Sequence, residues 1–495
     1  MACGRGFVLV LAYLISVSTV LPAQVLTTLV NFTGTNGNQP EASLIQGADG
    51  DLYGTTFLGG TSPGFGLVFK VSPAGTLTTV YSFCDQASCA WGDGPFGAVL
   101  ETRNGDLYGT SYNGGPSAFG TLYKISGGSV ATDLANFNNT NGANPESTLI
   151  QGIDGNFYGL AIQGGLTNAK CAFNLGCGTV FKVTPAGSLS IFYPFCSQAN
   201  CTDGLSPSGG LLQTSDGAFY GTAFGGGSYN GAGCLSADGC GTIFKITSSG
   251  TFSVLHTFLG TDGGNPYLVS LIQATDGDLY GTTYGGGPNN GCADGNEGCG
   301  TIFKISTSGA FTSLYNFCSK ANCADGSEPF GGLIQASDGN FYGTTFNGGA
   351  DNSGTVFRMT EQGKVATLYS FCAQPACSDG QSPYAALFQA TDGRIYGTTT
   401  KGGSKGEGTV FRMNLGLPPF VSPTPTFGKV GEDISILGYD LQSTSSVTFN
   451  GLAAPFTVVS PTQLSAAVPS GATSGPIVVT TSQRRLSSKT FDVIQ

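Results

Sequence analysis

Seven copies of the tetrapeptide Tyr-Gly-Thr-Thr, or close variants of it, run through the chain, with tyrosines at 53, 108, 158, 220, 280, 342 and 396. The intervals are 55, 50, 62, 60, 62 and 54 residues. Self-similarity at such a period marks stacked supersecondary units, each unable to bury its apolar faces without its neighbours. The repeat therefore constrains the fold before composition does. With 80 glycines and only 10% charged residues, the chain would otherwise read as low complexity. In register with the repeat the glycines fall at turns, which favours an ordered all-β array.

Residues 268–317 show one unit. Leu268 to Ala274 reads as a strand, Thr275-Asp276-Gly277 as a tight turn, and Asp278 to Tyr284 as a second strand. A Gly-rich loop leads to a third strand at Gly300-Thr-Ile-Phe-Lys-Ile, and Phe311 to Phe317 is a fourth. Asp and Gly suit the turn because Asp bonds its own backbone and Gly tolerates positive φ. Four short antiparallel strands make one β-propeller blade. The last unit lacks its fourth strand and runs into Pro418-Pro419, whereas the N-terminus begins with an orphan fourth strand, Leu26 to Phe32. The expectation is a seven-bladed β-propeller closed by the N-terminal strand, which also removes open sheet edges.

Residues 1–23 read as a secretory signal: Arg5 is followed by an apolar run from Phe7 to Val20, short for a membrane span. No second apolar run follows, so no transmembrane segment is expected in the mature chain. Fourteen of the fifteen cysteines fall into seven close pairs: Cys84/Cys89, Cys171/Cys177, Cys196/Cys201, Cys234/Cys240, Cys292/Cys299, Cys318/Cys323 and Cys372/Cys377. Export to an oxidising compartment makes these local disulfides. Zinc is the rival reading, but it wants tighter Cys spacing and nearby His, and His256 is the sole histidine. No metal or other cofactor is expected. The net charge of -11 argues against nucleic acid as a partner.

The pattern Asp-Gly-x-Leu/Phe-Tyr-Gly-Thr-Thr-x-x-Gly-Gly, followed by Gly-Thr-Val/Ile-Phe-Lys, resembles the GloVer (Gloeo/Verruco) extracellular tandem repeat over about residues 25–416. The resemblance implies a bacterial, secreted or cell-surface, propeller-like array and implies no activity. Composition shifts at Leu417, where a Pro-rich stretch reads as a stiff linker. Period-two runs follow, among them Ile434-Ser-Ile-Leu and Ile477-Val-Val-Thr, and suggest a small immunoglobulin-like β-sandwich. Gly438-Tyr-Asp-Leu and Val447-Thr-Phe-Asn-Gly451 resemble the IPT/TIG domain, a spacer or protein-contact module. The domains are thus a signal at 1–23, the propeller at 24–416 and the sandwich at 417–495.

All seven cysteine pairs lie in loops joining strand four to strand one or strand two to strand three, which share one face of a propeller. That long-looped face is where binding is expected. Residues that recur in kind in every copy serve the repeat. These include the tyrosines, the aromatic of Gly-Thr-x-Phe-Lys, and the basic residues Lys70, Lys124, Lys182, Lys245, Lys304, Arg358 and Arg412. The turn acids Asp49, Asp154, Asp216, Asp276, Asp338 and Asp392, with Asn104 in the remaining copy, read as their structural partners. Function is better sought where copies differ. The residue after each strand-one proline is Glu41, Phe96, Glu146, Ser208, Tyr267, Phe330 or Tyr384, expected at the channel mouth. Aromatics mixed with carboxylates suit a sugar or peptide ligand. Trp91, beside Cys89, joins this candidate set.

No catalytic residue emerges. His256 has no second histidine to form a triad. Asp203, Asp262, Asp325 and Asp379 lack the spacing of a calcium loop. The expected function is non-catalytic binding or interaction, with an extracellular polymer such as polysaccharide, or a protein, as partner. The alternatives are a carbohydrate-active enzyme using Glu41 and Glu146, and a purely structural envelope component. Oligomeric state is not legible.

Overall fold

The Tyr-Gly-Thr-Thr segment is the second strand of a four-stranded antiparallel sheet, and its side chains bind each sheet to the next. The computed structural model describes residues 26–494 apart from 62–63, 85–88, 90, 129, 172–174, 228–233, 235–238 and 293–297. The signal read at 1–23 lies outside the described residues. Through residue 413 the chain forms antiparallel sheets in which consecutive strands are neighbours, and among the described residues there is no α-helix. One sheet runs Ile272–Gln273, Leu279–Thr283, Thr301–Ile305 and Phe311–Asn316. The other copies repeat this order as propeller blades, three of them with an extra short strand, such as Ala143–Pro145. None of the described helices is long and apolar enough to cross a membrane.

The first strand is shorter than the sequence suggests, two residues instead of seven. The cause lies just upstream. The residue before each strand-one proline is left-handed in every copy: Gln39 (φ 55°), Gly94 (61°), Asn144 (53°), Ser206 (51°), Asn265 (52°), Glu328 (60°) and Ser382 (55°). Non-glycine residues rarely adopt this conformation. Leu268 is left-handed too, at φ 56°. The chain therefore bends repeatedly before it joins the ladder.

Each residue of the motif has a separate duty. The tyrosine hydroxyl donates to the turn aspartate, as from Tyr280 to Asp276 and from Tyr53 to Asp49, both at 2.8 Å. Gly281 lets the Phe303 ring close on the backbone, since a Cβ there would sit 2.6 Å from the Phe303 Cζ. The first threonine donates across to the next sheet: Thr55 to the Gly97 carbonyl, Thr282 to Gly331, Thr344 to Ala385, and Thr398 to Ala42. The second pairs with the threonine of Gly-Thr, as in Thr345 with Thr355 at 2.8 Å. The basic residue leans over the tyrosine ring and pairs with the turn acid, as Lys182 does with Asp154 at 2.8 Å. Where Asn104 replaces the acid, Lys124 takes Asp106 instead, at 2.6 Å. Arg412 departs from the pattern and donates to the Pro73 carbonyl. These pairs are about one-third exposed, so each is worth at most about 1 kcal/mol.

A second set of inter-sheet ties was not read from the sequence. Seven residues before each motif tyrosine stands Gln, or Glu101 in one copy, and in five copies its side chain accepts a backbone N–H of the preceding sheet. Ile153 N–H donates to Gln213, Thr275 to Gln335, Ser337 to Gln389, Ala48 to Glu101, and Thr391 to Gln46, at 2.9–3.0 Å. The Thr391–Gln46 bond and the Thr398–Ala42 bond join the last sheet to the first. The strand Leu26–Asn31 is the fourth strand of that last sheet, paired antiparallel with Thr409–Met413.

Tyr123 stands where the other copies have phenylalanine. Its hydroxyl is fully buried and, among the described residues, has no hydrogen-bond partner. A stranded hydroxyl costs roughly 1–3 kcal/mol. Tyr123→Phe is therefore expected to stabilise the protein by about 1 kcal/mol, read as a higher denaturant midpoint. A lower midpoint would count against this reading.

Residues 418–494 form a sandwich of a four-stranded and a five-stranded sheet. Between them Ile434, Ile436, Val447, Phe449, Leu464, Ile477 and Phe491 are buried. The Pro-rich stretch is not a free linker. Ser422–Thr424 is an edge strand paired with Leu437 through Ser435, a position where proline is tolerated because one side needs no donor. The sandwich rests on the turn-side face of the repeat sheets. Phe420 N–H donates to the Thr391 carbonyl, the Thr462 hydroxyl to Ala48, and Arg103 pairs with Glu432 at 2.9 Å.

Candidate functional site

The residues after the strand-one prolines converge because the left-handed bend before each proline turns the chain inward. Phe330 stacks on Tyr384 at 4.8 Å, Tyr267 meets Phe330 edge-on at 5.8 Å, and Phe96 meets Tyr384 at 6.3 Å. Glu41, Phe96, Glu146 and Tyr384 line one small void of about 40 Å³, room for a few waters at most. Ser208 is fully buried, and its Oγ accepts the Leu268 N–H at 3.2 Å.

Trp91 is not part of this group. It packs beside Tyr81, ring centroids 6.5 Å apart, against a core that includes Phe83 and Tyr123.

Burial governs the electrostatics of the cluster. The Glu41 carboxyl is pushed up to about 7 by loss of water. Glu146 is pushed up to about 8, first by burial and then by the Glu41 charge. One Glu146 carboxyl oxygen has no partner among the described residues. The Tyr267 and Tyr384 hydroxyls are raised by burial as well, with the neighbouring glutamates adding to it. At neutral pH Glu146 is thus mostly protonated while Glu41 sits near its midpoint, so the site offers a hydrogen-bond donor beside a partly charged acceptor.

Around this plug stands an outer tier of aromatic residues that sequence reasoning passed over. They directly follow the second residue after the motif glycine: Phe57, Tyr112, Phe224, Tyr284 and Phe346, with Ile162 and Thr400 in the other two copies. The five aromatics are half-buried, with part of their surface open to solvent. Phe57 touches Phe96 at 5.7 Å and Tyr112 at 6.2 Å, Phe224 touches Tyr267 at 5.5 Å, Tyr284 touches Phe330 at 4.4 Å, and Phe346 touches Tyr384 at 5.9 Å. Phe57, Tyr284 and Phe346 also bond by their backbone N–H to the left-handed residue before the proline. Their recurrence beside the motif was the available signal.

The fourteen predicted cysteines form the seven predicted local disulfides: Cys84–Cys89, Cys171–Cys177, Cys196–Cys201, Cys234–Cys240, Cys292–Cys299, Cys318–Cys323 and Cys372–Cys377. They staple the looped face and stand apart from the cluster after the strand-one prolines. None of them lines the void beneath the aromatic tier. Cys201 and Cys240 are fully buried, and Cys201 and Cys377 are left-handed, at φ 54° and 51°. What these cysteines offer their surroundings is backbone. The carbonyls of Cys201, Cys323 and Cys377 accept the N–H groups of Gly227, Gly349 and Gly403, which hold equivalent positions six residues after the motif glycine, at 2.9–3.0 Å. The carbonyls of Cys177, Cys240 and Cys299 accept the N–H groups of Ser206, Asn265 and Glu328, at 2.7–2.8 Å. Those three donors are the left-handed residues before the prolines, so each of these disulfides fixes the bend that opens the next sheet.

Several acids weighed for calcium serve the same loops. Asp203 accepts the Tyr193 hydroxyl at 2.8 Å and the Ser197 N–H at 2.9 Å; Asp325 and Asp379 make the same contacts with Tyr315 and Ser319, and with Tyr369 and Ala373. Asp262 meets His256 at 2.9 Å, and the imidazole stacks on Phe311.

No curated protein matches the sequence. Among solved structures, the extracellular domain of a hybrid two-component system from B. thetaiotaomicron is 12% identical with a TM-score of 0.49, over 94% of this chain and 54% of that one. The chain thus spans about half the length of that protein. An auxiliary nutrient binding protein from Bacteroides ovatus is 12% identical with a TM-score of 0.41, over 79% of this chain and 76% of that one. The family profiles match far more specifically: the Gloeobacter/Verrucomicrobia repeat at residues 16–173 and 172–411, and the IPT/TIG domain at 418–493. With its repeats accounting for most of its length, the chain belongs to the Gloeobacter/Verrucomicrobia repeat family and carries a C-terminal IPT/TIG domain.

Proposed function

We propose that this is an exported, non-catalytic binding protein: a seven-bladed propeller over residues 24–416, closed by its N-terminal strand, with the sandwich of residues 417–495 as a second module. Seven local disulfides support an oxidising, extracellular location. The ligand is an extracellular polymer, with polysaccharide the first choice. The observation that carries this reading is the half-buried aromatic tier of Phe57, Tyr112, Phe224, Tyr284 and Phe346 around a plug containing the two buried glutamates Glu41 and Glu146. Flat aromatic faces with hydrogen-bonding groups nearby suit stacking against sugar rings. The void beneath the tier is too small for a sugar, so the ligand lies across the rim. The same size limit weighs against glycoside hydrolysis at Glu41 and Glu146.

A glycan array with fully oxidised protein tests the reading. Selective, saturable retention of one or a few polysaccharide structures is the expected result. A blank array at high protein concentration would remove polysaccharide as the ligand.

A further inference from the structure

We propose that the cavity between the turn-side face of the repeat sheets and the sandwich is a binding site for a small apolar carboxylic acid, with Lys489 receiving the carboxylate. This site lies on the face opposite the aromatic rim and is independent of it. The cavity holds about 480 Å³, within the range of roughly 300–1,000 Å³ usual for small-molecule sites. Its walls are mostly apolar, with Ile334 and Phe388 from the repeat sheets and Phe420, Pro423 and Leu437 from the sandwich. They are held apart by defined contacts, since the Phe420–Thr391, Thr462–Ala48 and Arg103–Glu432 bonds and a Ser337–Pro418 bond tie the two modules together.

Lys489 supplies the polar end. It projects from the strand Arg485–Ile494 and donates to the Gln335 carbonyl of the repeat sheets. Its side chain is exposed to water and lines the cavity. Desolvation by the protein around it lowers its pKa. Among the described residues it pairs with no carboxylate, and two of its three N–H groups remain for a ligand. The other charged groups lining the cavity are committed. Glu101 accepts the Ala48 N–H at 2.9 Å and is driven toward its neutral form by burial, and Arg103 is held by Glu432. An apolar chamber with one uncommitted, partly desolvated ammonium selects an apolar body with a single negative head.

The test is calorimetric titration of the full-length, oxidised protein with decanoate, decanol and decylamine. Decanoate is expected to bind one to one, with decanol at least tenfold weaker and decylamine not bound. Lys489→Met, which keeps the stem and removes the charge, is expected to weaken decanoate at least tenfold, with a melting temperature within a few degrees of the parent protein because only the bond to the Gln335 carbonyl is lost. Ser422→Trp, which fills the chamber, is expected to do the same; if it fails to fold, Lys489→Met decides. Absence of saturable decanoate binding, equal affinity for decanol, or undiminished binding by Lys489→Met would overturn the proposal.

Discussion

Removing residues 24–33 is expected to leave no stable folded monomer. The strand Leu26–Asn31 fills the fourth position of the last sheet, and Val30 and the adjoining Phe32 are buried in a cluster with Leu44, Phe69, Tyr396 and Val410. Phe32 is fully buried and meets Phe69 edge-on at 5.3 Å. Truncating one such phenylalanine costs about 3–5 kcal/mol. Losing the whole strand adds the ladder bonds, Val30 and an exposed edge along Thr409–Met413. The total approaches the roughly 5–15 kcal/mol that stabilises a typical domain. The bare edge is also a template for pairing with other chains. Truncated protein should therefore elute as aggregate and lose its cooperative melt. A synthetic peptide spanning residues 25–33 should restore a monomer by adding back the missing strand. Phe32→Ala should fall between, destabilised by about 3–5 kcal/mol. A truncated monomer with an unchanged melt would show that the ring does not depend on this strand.

The second large effect is on pH. Glu41 and Glu146 titrate near 4.5 when unfolded and near 7 and 8 when folded. Below pH 4.5 both are protonated in both states, and burial as the neutral acid costs little. Between pH 4.5 and 8 the unfolded chain releases protons that the folded chain retains, so stability falls as pH rises through that window. A tenfold change in proton affinity is worth about 1.4 kcal/mol, so Glu146 alone accounts for an upper bound of a few kcal/mol. The groups facing the pair are the Tyr112, Tyr267 and Tyr384 hydroxyls, all raised by burial and neutral throughout the window. Glu146→Gln should therefore match the parent protein in melting temperature at pH 4 and exceed it by several degrees at pH 8. Equal melting temperatures at both pH values would contradict a buried, protonated Glu146.

The architecture was legible because it repeats. Tyr280, Gly281 and Thr282 do the same work as their counterparts elsewhere, so their spacing alone reports the stacking, and the missing strand after Met413 reports where the N-terminus belongs. What repeats more quietly was missed. Gln335 and its equivalents sit in two-residue strands too short to read, and their partners belong to the neighbouring sheet. The left-handed bend at Gln39 or Glu328 falls on residues with no strong preference for it, so it left no mark in the sequence, and the first strand predicted at 268–274 came out shorter. Pairing of the cysteines followed from their spacing, but the grip of the Cys240 carbonyl on Asn265 did not, because the acceptor is backbone. Ser422-Pro423-Thr424 looked like linker because proline is common there, but an edge strand accepts it. Phe57 and Tyr284 follow the motif directly and were legible; attention to the invariant residues hid them. Trp91 seemed a ligand contact through its position in the loop, and only the fold shows its ring beside Tyr81. Lys489 gave no signal, since its environment exists only once the sandwich is seated.

The central claim is that residues shared by every copy build the ring and residues that differ on the looped face bind. Tyr284→Ala combined with Phe346→Ala addresses it directly, by titration with the glycan selected on the array alongside a thermal melt. The account predicts at least a tenfold loss of affinity, with a melting temperature within a few degrees of the parent protein. Undiminished affinity in a folded double variant would contradict it.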